Sequence, residues 1–114
     1  MTSRVRALLI PVFGPVEEVE QDGLDDLQRL VDGHIEALPV DGREDANAYV
    51  NEAGLLAGLP GNARATLLLG FRIAGPAVLC GFDAATGEQT DIPEDLARTV
   101  HAASTSTCSD PSRD

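Results

Sequence analysis

Leu24, Leu27, Leu30 and Val31 recur at i, i+3, i+6 and i+7, which lines four apolar side chains along one face of a helix. Asp22 is the expected N-cap. Asp25 and Asp26 fall in the first turn, where the helix dipole favours negative charge, and Gly33 supplies the usual C-terminal stop. A helix this short draws little stability from itself and needs a surface on which to lay its apolar face. The segments around it read as that surface.

Residues 4–12 (RVRALLIPV) are rich in branched side chains and predict a strand. FGP makes a turn in which Gly14 supplies a positive φ, and residues 15–21 (PVEEVEQ) predict a half-exposed second strand, so the chain opens with a hairpin. After the helix, residues 34–40 (HIEALPV) and 47–51 (NAYVN) predict two more strands, separated by the polar turn DGREDA. Asn62 then caps a helix from Ala63 to Leu69, which Gly70 closes. Residues 76–83 (PAVLCGFD) predict a buried strand, and ATGEQT reads as a turn. Asp91 with Glu94 forms a capping box, with Pro93 in the first turn of a helix over 92–102. Helices interspersed among strands favour an α+β fold. The expectation is a small single domain over 1–103, with a mixed or antiparallel sheet of about five strands and about three short helices. Residues 104–114 lack apolar periodicity and are expected to be a disordered tail.

At 114 residues the chain suffices for one domain. The aromatic residues are Phe13, Tyr49, Phe71 and Phe82, so the core must be aliphatic. Charge is the sharpest compositional feature. Nineteen acidic residues stand against eight basic ones, every one of the eight is Arg, and the net charge is −11. Such a surface repels phosphates and argues against direct nucleic-acid binding. The lack of Lys excludes a lysine Schiff base and a P-loop lysine. Cys80 lies in an apolar run as a small hydrophobe, while Cys108 lies in the polar tail, and their spacing is not that of a zinc site. The N-terminus lacks the layout of a secretion signal, and no stretch approaches the length of a membrane span. A cytoplasmic location is expected.

Catalytic motifs are missing: there is no nucleophile elbow, P-loop or dinucleotide fingerprint. His34 and His101 are far apart and form no metal-ligand pattern, so neither a cofactor nor a metal is expected. Adjacent carboxylates such as Glu17 and Glu18 point to opposite faces of a strand and cannot form one dyad. The stretch from 49 to 66 is the place to look. Gly61 turns the chain into a helix start at Asn62, and helix starts bind anions through free N–H groups. Arg64 sits in that first turn against the dipole's preference, although an ion pair with one of the many nearby acids explains it more simply. Tyr49, Asn51, Glu52, Asn62, Arg64 and Thr66 are the candidate ligand-binding residues. Asn51 and Glu52 also have a plain reading as turn formers.

LLIPVFGPVEEVE, LDDLQRLVDGHIEALPV, YVNEAGLLAGLP, NARAT and GPAVLCGFD, in that order, resemble the family called domain of unknown function 3846, over roughly residues 5–97. The resemblance implies small bacterial, plasmid and phage proteins, hence an origin on a mobile genetic element. It implies no activity and no catalytic residues. The leading expectation is therefore a non-enzymatic binding module for a small anionic ligand or a protein partner. An acidic mimic of DNA, inhibiting a DNA-binding or host defence protein, is the alternative, and an enzyme using His34 the third. An exposed sheet edge, such as that of the first hairpin, could pair two copies across a two-fold axis.

Overall fold

The computed structural model describes residues 4–40 and 42–109. The elements run β1 (Val5–Ile10), β2 (Glu17–Gln21), α1 (Leu24–Val31), β3 (Ile35–Pro39), β4 (Ala46–Asn51), α2 (Ala63–Leu69), β5 (Ala77–Asp83), β6 (Glu88–Thr90) and α3 (Glu94–Ser109). The α+β expectation holds. The sheet has the order β2-β1-β5-β4-β3, every pairing is antiparallel, and β6 pairs with the end of β5.

Strand alternation divides the core into two layers. Val5, Ala7, Tyr49, Val78 and Cys80 face α1 and meet Leu27 and Val31. Leu8, Ile10, Ala48, Val50 and Leu79 face the other way and meet Ala65 and Leu69 of α2 and Leu96 and Val100 of α3. Burying one such leucine contributes roughly 1.5–3 kcal/mol, against about 0–1 kcal/mol for an exposed ion pair. Each ion pair here has at least one partner more than half exposed. The aliphatic layers therefore hold the fold.

Three local expectations are corrected. Gly23, at φ 117, occupies the N-cap position of α1, so Asp22 lies one residue too early; its backbone N–H instead donates to the Asp26 carboxylate at 2.7 Å. Asp91 does not cap the last helix through its carboxylate, which accepts the backbone N–H of Arg6 on β1 at 2.9 Å. The ATGEQT turn is shorter than it reads: Gly87 takes φ 77, and Glu88–Thr90 return along β5 as β6. The α2 caps match the sequence, with Asn62 Oδ1 accepting from Ala65 N–H and Gly70 in the left-handed conformation. Helix α3 continues to Ser109, past the expected end at 102, and no Gly or Pro interrupts residues 94–109. Residues 110–114 of the expected tail lie outside the described residues.

Candidate functional site

On the face covered by α2 and α3, the two helices leave the β3 edge of the sheet bare. A depression of about 390 Å³ opens there. Glu36 and Leu38 of β3 and Val50 of β4 form its floor, the turn after β4 brings Leu55 and Leu56, and the segment Phe71–Ala74 forms the far wall. Leu56 is 94% exposed, Leu55 58% and Phe71 46%. Glu36, Glu52 and Arg72 carry the charge around it.

The wall is held in place by two of the residues singled out from the sequence, Asn62 and Thr66. Asn62 is 1% exposed and spends its side chain on the backbone: Nδ2 donates to Ile10 O at 2.9 Å and to Gly75 O at 3.0 Å, while Oδ1 accepts from Ala65 N–H. Its own N–H donates to Ile73 O at 2.8 Å, and Gly75 N–H to Pro60 O at 2.8 Å. Thr66 Oγ1 accepts from Ile73 N–H at 2.9 Å. These bonds strap residues 71–75 to α2 and so fix Phe71 and Arg72 at the rim. Gly54 closes the other side by contact: a Cβ there would fall 2.6 Å from Ala74 O.

Asn51 and Glu52 are the two candidates that line the depression. Asn51 also finishes α1. Its Nδ2 donates to Val31 O and Asp32 O at 3.1 Å each, and its Oδ1 accepts from Ala53 N–H at 2.8 Å. Gly33 makes room for that amide, since a Cβ at 33 would lie 2.6 Å from Nδ2. Glu52 is exposed, and its N–H donates to His34 O at 2.8 Å. Arg64 reaches away to donate to Pro11 O at 2.7 Å. Tyr49 faces α1, on the opposite side of the sheet, where its hydroxyl accepts from Gln89 Nε2 at 3.1 Å. The six residues therefore do not gather around one pocket: two line it, Asn62 and Thr66 hold its wall, and Tyr49 and Arg64 lie elsewhere.

Sequence reasoning missed Leu38, Leu55, Leu56, Phe71 and Arg72. The pair Leu55-Leu56 in a turn, outside any helical or strand periodicity, was the available signal. His34 and His101 are exposed, and among the described residues no three His, Cys, Asp or Glu side chains cluster as a metal site.

Two further polar groupings serve the frame. On the α1 face, buried Gln21 donates through Nε2 to Cys80 Sγ at 3.1 Å and to Gln89 Oε1 at 2.5 Å, and accepts from Gly23 N–H at 2.7 Å. Burial pushes the Cys80 thiol pKa up, partly offset by the bond from Gln21. Beyond β3, Arg43 bridges Asp45 and Asp95, tying the β3–β4 loop to α3 at 2.8 Å on each side. Both carboxyls are held below their ordinary range, chiefly by the hydrogen bonds from Arg43.

A family model described as a domain of unknown function matches residues 5–104. No curated protein matches the chain. Among solved structures, a crystal structure of the small RNA methyltransferase HEN1 superposes with a TM-score of 0.65 at 18% identity. The match covers 88% of this chain but 16% of that one, so this chain corresponds to a small part of the larger protein. At that identity the likeness is one of fold alone.

Proposed function

The chain belongs to the family of domains of unknown function 3846, and from that premise we propose that it is a non-enzymatic binding module that engages a protein partner at the depression beside Asn51 and Glu52. One observation carries the reading: Leu55, Leu56 and Phe71 stand exposed around a depression whose floor and wall include the apolar side chains of Leu38, Val50 and Ile73. Apolar side chains grouped at a concave surface favour a contact that removes them from water. The helix start at Asn62 supports an anionic ligand less well. Its Asn side chain and the Ala65 N–H are already paired within the chain, and the Arg64 guanidinium is engaged with Pro11.

A displayed peptide library panned on the wild type and on a Leu55→Glu/Leu56→Glu variant tests this. Both side chains are exposed, so the variant should melt at the same temperature as the wild type. Sequences enriched on the wild type should lose the variant by at least about tenfold in affinity, the equivalent of ~1.4 kcal/mol. A library that enriches nothing, or enriches sequences that hold the variant equally well, overturns the reading.

A further inference from the structure

The outer edge of β3 has a hydrogen-bonding pattern that can be read from its pairing with β4. Glu52 N–H donates to His34 O, which makes residues 34 and 52 a hydrogen-bonded pair. The register continues Ile35 with Asn51, Glu36 with Val50, Ala37 with Tyr49, Leu38 with Ala48 and Pro39 with Asn47. Antiparallel pairs alternate between bonded and non-bonded, so Glu36 and Leu38 spend their backbone groups on β4. Ile35, Ala37 and Pro39 turn theirs outward. The free edge thus presents two donors, the N–H groups of Ile35 and Ala37, and three acceptors, the C=O groups of Ile35, Ala37 and Pro39. Pro39, which has no N–H, sits where a missing donor costs the chain no internal bond.

We propose that this edge pairs with the same edge of a second copy, antiparallel, about a two-fold axis at Ala37. In that register Ala37 exchanges two bonds with its counterpart, and each Ile35 N–H donates to the other copy's Pro39 C=O. Both outward donors of each copy are satisfied, and the one acceptor left over, Ile35 C=O opposite the other copy's Pro39 nitrogen, lies at the end of the paired segment, where water can reach it. Neighbouring registers fail for stated reasons. Centring on Glu36 also uses every donor but sets Glu36 directly against Glu36, like charges in the closer, non-bonded type of pair. Centring on Leu38 leaves Ala37 C=O without a donor, since proline donates nothing, and sets Ile35 N–H opposite a position beyond the end of β3. At Ala37, Glu36 faces Leu38 of the other copy and no carboxylates oppose each other.

The other free edge excludes the same arrangement. Self-pairing of β2 centred on Glu18 or Glu20 opposes that glutamate to itself, and centring on Val19 opposes Glu18 to Glu20. The hairpin edge expected from the sequence to pair two copies is therefore the edge that its charges protect. A two-fold normal to the sheet also sets the two depressions side by side on one face. The pairing does not depend on any partner occupying them.

Sedimentation equilibrium of the full chain over a wide concentration range tests the proposal. The wild type should dimerise reversibly. Each copy carries −11, so added salt should tighten the dimer by screening repulsion. Ala37→Pro removes the two central bonds while its nitrogen, like that of Pro39, faces outward; it should raise the dissociation constant about tenfold or more. Ala37→Glu, which sets like charges on the axis, should do the same without proline and decides the matter should Ala37→Pro fail to give the wild-type circular dichroism spectrum. A chain that stays monomeric at every concentration overturns the proposal, as does a dimer that Ala37→Glu leaves intact.

Discussion

β2 and β3 end the same sheet on different terms. β2 reads EEVEQ, and its three glutamates are all exposed. β3 reads IEALP, with one carboxylate and a proline. The first edge repels a neighbouring strand by charge; the second limits pairing to one register through Pro39 and Glu36. The two edges are also anchored differently. β2 is tied inward by Gln21, buried at 1% exposure with three hydrogen bonds. The β3–β4 corner is tied by Asn51, half-buried, over the end of α1. The acidity of the chain is thus not evenly useful: on β2 it serves a local purpose that net charge alone does not reveal.

The anchors give the largest expected effect. Gln21→Ala breaks the buried bond to Cys80 and the part-buried bonds to Gly23 N–H and Gln89, and should cost about 2 kcal/mol. Asn51→Ala should cost less, about 1 kcal/mol, because exposed Asp32 and its surroundings let water replace the lost donor. Urea unfolding of both variants measures the difference. An Asn51→Ala cost equal to or above that of Gln21→Ala would show that the β3 corner, and not β2, carries the tighter anchor.

The charges come next. Glu18→Thr/Glu20→Thr makes β2 resemble β3 in charge while keeping good strand formers. With two competent edges, pairing no longer closes on itself, so species larger than a dimer should appear in sedimentation velocity. Particles no larger than those of the wild type would mean that the glutamates are not what keeps β2 unpaired.

Much of this was legible in the sequence, for physical reasons that also mark the limits. Leu27 and Val31 of α1 and the Asn62 and Gly70 caps of α2 follow from spacing and local chemistry, which a short segment carries in full. Asp22 and Asp91 read as caps because both sit near a helix start, whereas their bonds are decided by Gly23 in one case and by a strand 85 residues away in the other. β6 is three residues long and exists through its pairing with β5. In the candidate site, polar residues were conspicuous and apolar ones were not. Asn62 attracts notice as a polar residue at a glycine turn, yet it is consumed by Ile10 and Gly75. Leu55, Leu56 and Phe71 look like ordinary core residues until the fold leaves them uncovered.

The smallest expected effect separates the two sides by pH. Next to β2, Asp26 accepts from Arg29 and from the Asp22 N–H, and its pKa is lowered, first by the Arg29 bond. Beyond β3, two carboxyls, Asp45 and Asp95, are lowered by the single guanidinium of Arg43, whose own pKa they push up. A carboxyl depressed in the folded state contributes stability above its ordinary value of 3.8 and loses it as pH falls through the lower folded value. Both sides should therefore weaken only under acid, below the ordinary carboxylate range, and salt should mute the effect because these groups are exposed. The β3 side has two carboxyls to lose and a long-range tie to α3, so amide exchange at residues 42–46 and in the first turn of α3 should accelerate more than at residues 22–26. Arg43→Met should abolish that acid sensitivity on the β3 side and leave the β2 side unchanged; equal acceleration on both sides in the wild type would remove this distinction between the edges.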